Sequence, residues 1–296
     1  MSDSEIEAEG FNDGILPFQL EDVDIRGRLI RLGPVAREIL AAHAYPQIVS
    51  DLLGETLALT AALASGLKYE GIFTLQVQGD GPINLLVADI TSEGVLRGYA
   101  RFDEEALDKL EDPSVSRLLG AGHIAFTVDQ GPDMERYQGI TEITGATLAD
   151  CANAYFRQSE QLDTLVKLAA DDRSVAALLI QRLPPATPTE LAEEKAEEDW
   201  RTAAVLAGSL TRDEMLSRDL TADQLLYRLF NEGGVRVFDP RPVSKGCRCS
   251  EAKIVTALAA YPVAELKEMA EEDGLIHAAC EFCNTTYKLD PETLGN

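Results

Sequence analysis

The sequence predicts an α+β fold with a largely antiparallel sheet core and flanking helices. Three observations carry this expectation. Residues 72 to 102 contain three apolar runs, IFTLQVQ, INLLVADI and VLRGYARF, separated only by the turns GDGP and TSEG, in which Gly supplies the reversal. Helical patterns lie before and after this meander, an arrangement typical of α+β proteins. Beyond residue 183, PPATP places three prolines within five positions, which no regular element tolerates, and the chain after it changes character.

Taken in order, residues 1–16 read as a disordered acidic tail. VDIRGRLIRLG reads as a strand, and GPVAREILAAHAYP as a helix. PQIVSDLLGETLALTAALASGL reads as a second helix, with Ile48, Leu52, Leu59 and Leu63 on one stripe. The three-strand meander follows, then a short helix and two more strands, HIAFTVDQ and RYQGITEIT. LADCANAYFRQSEQLDTLVKLAA reads as one long helix, with Cys151, Tyr155, Leu162 and Val166 on an apolar face. SVAALLIQRLP closes a core domain over 17–183.

Residues 184–245 read as a helical linker. Thr187 with Pro188 and Glu190, Thr211 with Glu214, and Thr221 with Gln224 each match a helix start with a capping residue. The first of the three helices, ELAEEKAEEDW, has a poor apolar stripe and clustered like charges. It therefore needs docking to be stable. Trp200, the single tryptophan, lies in it. We expect Trp200 to pack on the core in the reduced protein and to become exposed on oxidation; a stably anchored helix is the alternative.

Composition narrows the function. Asp and Glu outnumber Lys and Arg by 51 to 26, a net charge of −25, which argues against nucleic acid or an anionic membrane as partner. No run of about 18 apolar residues reads as a membrane span. The acidic start MSDSEIEAEG is unlike a signal peptide, so a cytoplasmic location is expected. In a reducing compartment, paired cysteines point to metal or redox chemistry before structural disulfides.

Four of the five cysteines fall in 246–296, as Cys247-x-Cys249, thirty residues, then Cys280-x-x-Cys283. Between the pairs, Ile254, Leu258 and Tyr261 share one helical face, and Val263, Leu266 and Ala270 another that ends at Gly274. LIHAACEFCNTTYKL reads as a β-hairpin with the second pair at its turn, a zinc-knuckle geometry. Four thiolates suit one tetrahedral Zn²⁺, and a unit this small rarely holds itself together by burial alone. Permanent disulfides and unrelated thiols are the alternatives. His277 reads as a strand residue rather than a ligand. Zinc-held thiolates are the nucleophilic form that oxidants attack. A disulfide across a single residue closes a strained ring that is easily reduced again, so the site is expected to be redox-active.

At these residues the sequence resembles the heat shock protein 33 family of redox-regulated holdase chaperones. HAYP, LLGETLAL, LQVQGDGPI, LRGYA, RYQGI, YFRQSEQL and CEFCN carry the resemblance, which covers all but the N-terminal tail. It implies an inactive reduced form with zinc on Cys247, Cys249, Cys280 and Cys283. It further implies disulfides Cys247–Cys249 and Cys280–Cys283 on oxidation, zinc release, and unfolding of the zinc domain and linker. Binding of unfolding client proteins without ATP then follows, with a homodimer when oxidised.

Two other functions are weighed. A thiol–disulfide oxidoreductase using Cys280 and Cys283 would need the motif to open a helix in a thioredoxin-like setting, whereas here it falls late in a hairpin. A zinc-ribbon nucleic-acid binder is disfavoured because 246–296 is acidic. Cys151 reads as a buried core cysteine, His43 and His123 have no recognisable catalytic partner, and GDGPI lacks the Lys of a phosphate loop.

Overall fold

The computed structural model describes residues 13–21, 23–111, 114–131, 134–184 and 189–294. It divides into two compact units: Met1–Leu40 with Tyr45–Lys245, and Ala41–Ala44 with Gly246–Asn296.

The first unit contains two mainly antiparallel sheets. One consists of β1 (Gly14–Leu20), β2 (Ile25–Leu32), β8 (Thr164–Ala170), β9 (Val175–Arg182), β10 (Val235–Val237) and β11 (Arg241–Pro242). Its order is β10-β1-β2-β9-β8, with β11 also on β1. The other consists of β3 (Ile72–Gly79), β4 (Ile83–Thr91), β5 (Val95–Phe102), β6 (Gly122–Asp129), β7 (Tyr137–Glu142) and β12 (Ser244–Lys245). Its order is β12-β5-β4-β3-β6-β7, and only β12, paired with β5, runs parallel to its neighbour. The meander is therefore as expected, with register Ile72↔Thr91 and Ile90↔Leu96. The GDGP segment is a turn, where Asp80 Oδ1 accepts from the Ala121 amide at 2.7 Å.

Helix α1 (Pro34–Leu40) leads to α2 (Gln47–Ala64), which packs against strands of both sheets. By length and composition α2 could cross a membrane, but 72% of it is buried within the protein. Its burial on nearly all sides, from Val49 to Ala64, marks a core helix rather than one with a single apolar stripe. Its side chains join Ile30, Leu32, Leu75, Leu86 and Leu179 in the main core.

The β8–β9 sheet is buried on both faces. Along β9, Val175, Ala177 and Leu179 enter the main core. Ala176, Leu178 and Ile180 point the opposite way into a second core, as the two-residue period of a strand requires. That second core is closed by the helices α6 (Glu190–Ser209), α7 (Arg212–Leu216) and α8 (Ala222–Phe230). Phe18 stacks on Phe230 at 5.8 Å. Gly27 makes room for this pair, since a Cβ there would lie 2.1 Å from the Phe18 ring.

Three expectations need correction. Gly14–Leu20 is a strand, so the tail cannot extend through residue 16; residues 1–12 lie outside the described residues. The long helix after Thr147 stops early. Following α3 (Glu104–Asp108) and α4 (Val115–Leu119), α5 covers only Leu148–Tyr155, continues as a π turn over Phe156–Glu160, and ends at Gln161 in the left-handed region (φ 52°). Val166 is therefore on a strand, where its amide donates to Asn153 Oδ1 at 2.8 Å. Thirdly, α6 is capped by Thr189, whose hydroxyl accepts from the Ala192 amide; the expected start at Thr187 and Pro188 lies outside the described residues. The Thr211–Glu214 and Thr221–Gln224 capping boxes are both formed. Cys151 is fully buried, and burial pushes its thiol pKa up.

Candidate metal centre

The second unit has a small apolar core of Leu266, Ile276, Leu289 and Leu294. Helices α9 (Glu251–Leu258), α10 (Val263–Glu268) and α11 (Pro291–Leu294) surround a two-stranded hairpin, β13 (Ile276–Ala279) and β14 (Thr286–Leu289). No residue of α9 is buried.

The hairpin turn shapes one half of the site. The Asn284 amide donates to the Cys280 carbonyl at 2.8 Å, and the Cys280 amide donates to the Thr285 carbonyl at 3.0 Å. Asn284 supplies the positive φ (55°) that lets the turn close, a conformation Asn tolerates better than most residues. Cys247 and Cys249 form the other half, ahead of Ser250, which caps α9 by accepting from the Lys253 amide.

The two halves meet at sulfur. Cys247 Sγ lies 3.6 Å from Cys280 Sγ, and Cys249 Sγ lies 3.5 Å from Cys283 Sγ. All four sulfurs fall within 4.8 Å of one another, so they could hold a metal ion. The Tyr287 hydroxyl donates to Cys249 Sγ at 3.2 Å, and Thr285 Oγ1 lies 3.2 Å from Cys283 Sγ. Neither contact was anticipated from the sequence, although both residues stand within four positions of Cys283, Thr285 just before the returning strand and Tyr287 on it. His277 pairs instead with Glu271 (3.1 Å) and Asp273 (2.9 Å), as a strand residue rather than a ligand.

The electrostatics show what this cluster needs. At Cys283, burial raises the thiol pKa, but hydrogen bonds from Thr285 and the neighbouring thiols outweigh it and bring it to about 6. At Cys249, the Tyr287 hydroxyl lowers the pKa, but burial and the other three cysteines carry it upward. One sulfur ionises easily, and its charge then discourages the rest. Four thiolates can coexist at this spacing only around a cation, and four sulfur donors are the set that suits tetrahedral Zn²⁺. The donor chemistry thus fits the expected metal.

The Cys280-x-x-Cys283 pair sits at a hairpin turn, not at the first turn of a helix, which removes the thioredoxin-like setting an oxidoreductase would require.

Residues 13–290 match the family model described as Hsp33 protein. The chain belongs to the Hsp33 family. Among its curated relatives is a protein named 33 kDa chaperonin from Caulobacter vibrioides, 41% identical over 292 residues, covering 95% of each chain. Another of that name, from Nitrosococcus oceani, is 40% identical over 278 residues, covering 94% of this chain and 91% of the relative. The fold matches the crystal structure of an Hsp33 homolog from Thermotoga maritima with a TM-score of 0.78 at 23% identity, over 95% of this chain and 96% of that one. Hsp33 proteins are named as chaperonins, not enzymes, so the expected family and chaperone class stand.

Proposed function

We propose that this chain is a redox-regulated, ATP-independent holdase of the cytoplasm, active on unfolding proteins under oxidative stress. The observation that carries the reading is the four-sulfur cluster in a unit with so small an apolar core. In the reduced state Cys247, Cys249, Cys280 and Cys283 would hold one Zn²⁺. That ion would supply the positive charge that keeps four sulfurs ionised together and would tie both halves of the unit, a contribution of about 10–16 kcal/mol in small zinc domains.

Oxidation acts on the sulfurs themselves. Each pair, Cys247 with Cys249 and Cys280 with Cys283, passes two electrons to one hydrogen peroxide. One S–S bond forms as the O–O bond breaks, and two protons from solvent complete two waters. The four donors are then lost, and the small core of 246–294 is left without its cross-link. Residues 235–245 lead directly from the linker helices into Cys247, so loss of order can spread along the chain to α6. The apolar face under the linker, including Phe18, Leu20, Ile25 and Leu29, then becomes the surface for clients. The oxidised chain would form a homodimer, with no role for nucleic acid or membrane.

Light scattering from an aggregating client tests this. The peroxide- and heat-treated protein should suppress aggregation near one-to-one, and the reduced, zinc-loaded protein should not. Equal suppression by both forms would remove the redox switch; suppression by neither would remove the holdase.

A further inference from the structure

The first unit contains a cleft of about 430 Å³ that the cysteine chemistry does not use. Its walls come from the end of α2 and the turn after it, from β2, β6 and β9, and from the π turn after α5. Much of the lining is apolar, with Leu63, Phe73, Phe126, Val128 and Leu179. Clefts of about 300–1,000 Å³ with an apolar wall and a few fixed polar groups are typical small-molecule sites.

The charges around this cleft run against the composition of the chain. Acidic residues outnumber basic ones by 51 to 26 overall, yet Arg26, Arg28 and Lys68 line the cleft with Glu160 as its single acidic residue. That carboxylate is already engaged: Glu160 Oε1 accepts from the Tyr155 hydroxyl at 2.8 Å and the Tyr137 hydroxyl at 3.1 Å.

Arg28 is only 7% exposed. Its guanidinium sits over Gly66, with Nη2 3.1 Å from where a Cβ on that residue would lie. Among the described residues no carboxylate or other acceptor pairs with it. The charged groups acting on it are Arg26 and Arg241, both cations. Burial first, and these two arginines next, lower its pKa to about 10, so it is still charged at neutral pH. Beside it, Arg26 Nη2 donates to Gln181 at 3.2 Å, while its buried Nε has no acceptor among the described residues. A buried cation of this kind is unfavourable until an anion pairs with it.

We propose that this cleft binds a small apolar carboxylate, with its hydrocarbon body among Leu63, Phe73, Phe126 and Val128 and its carboxylate on Arg28 and Arg26. The guanidinium fork matches that anion geometrically. The site uses none of the cysteines and stands independently of the redox reading.

The test is calorimetric titration of the reduced, zinc-loaded full chain with decanoate and with decanol, its uncharged counterpart. Decanoate should saturate one site and bind at least tenfold more tightly than decanol. Arg28→Met should remove that preference without lowering the melting temperature, since it deletes an unpaired buried charge. Lys68→Glu, at an exposed position where folding is safe, should weaken decanoate several-fold and leave decanol unchanged. Amide shifts on binding should centre on Gly66–Tyr69 and Phe126. N-acetyl-Leu-Phe offers the same chemistry as a peptide end; tighter binding than decanoate assigns the site to chain termini, and weaker binding assigns it to free acids. Equal affinity for decanol and decanoate, undiminished decanoate binding in both variants, shifts centred elsewhere, or no saturable binding of any probe would overturn the proposal.

Discussion

Helices α6 and α8 belong to the same linker and cover the same sheet, but they are held in different ways. The nine-residue α8 buries Leu225, Leu226 and Phe230, and its capping box is complete. The twenty-residue α6 buries only Ala196, Ala203 and Ala207, and leaves Leu191 79% and Val205 69% exposed. Three methyl groups and the half-buried Trp200, which packs against the second core, remove less apolar surface from water than the fully buried Leu and Phe side chains of α8. Polar contacts hold α6 at its ends. Arg182 bridges Glu193 and Asp163, each at 3.0 Å, near the start. Lys167 Nζ donates to the Gly208 and Leu210 carbonyls, at 2.7 and 2.6 Å, at the finish. A helix held mainly by its ends can lift while its neighbour stays, so the linker is graded rather than uniformly weak.

The largest expected effect comes from the cysteine unit. Cys280→Ser, or chelation under reducing conditions, should abolish hydrogen-exchange protection over 246–294. If the linker is graded, α6 should then exchange faster while α8 keeps its protection; simultaneous loss in both would break the comparison. Next, Phe230→Ala should destabilise the first unit by about 3–5 kcal/mol in denaturant unfolding, because it empties the space against Phe18. A loss below about 1 kcal/mol would place α8 with α6.

A pH effect follows from Glu55 on α2. Burial, then Asp51, raises its carboxyl pKa to about 7, against the favourable charge of Arg212 on α7. The folded state therefore keeps a proton that the unfolded chain releases above its ordinary value near 4.5. This contribution to stability is complete below that value and is lost as pH rises to about 7. Glu55→Gln should flatten that slope in thermal melts, and an unchanged slope would count against the raised pKa of this half-buried carboxyl. The smallest effect is at the α6 cap. Thr189→Ala should cost about 1 kcal/mol and shift the Trp200 emission maximum before any change in α8 protection; no shift would mean that the seating of Trp200 on the second core does not depend on the cap of α6.

Local patterns made much of this legible. Apolar runs and Gly turns placed β3 to β5, and in β3 and β5 one side chain in two is buried, as a strand requires. Cysteine spacing located the sulfurs, because a hairpin turn constrains both members of a pair. Strand β8 was not legible: TLVKLAA has the composition of a helix, and it is extended because all seven residues pair with β9. Strand β1 was obscured by Pro17 and the acidic stretch before it. The contacts of Tyr287 and Thr285 with sulfur, the Lys167 and Arg182 clamps on α6, and the isolation of Arg28 all depend on tertiary proximity that no local window contains.

The pairing of β10 and β11 along β1 has a consequence beyond the helices. Phe18 to Leu20 pair with Val235–Val237, Gly14 and Ile15 pair with Arg241 and Pro242, and the Phe238 amide donates to the Pro17 carbonyl. If 235–242 peels away, β1 becomes an open edge whose backbone can take up any extended chain by strand addition. Pro17, at the middle of that edge, has no N–H to offer. It leaves a gap in the template, so an uncovered β1 would be a broken edge that works against endless self-stacking.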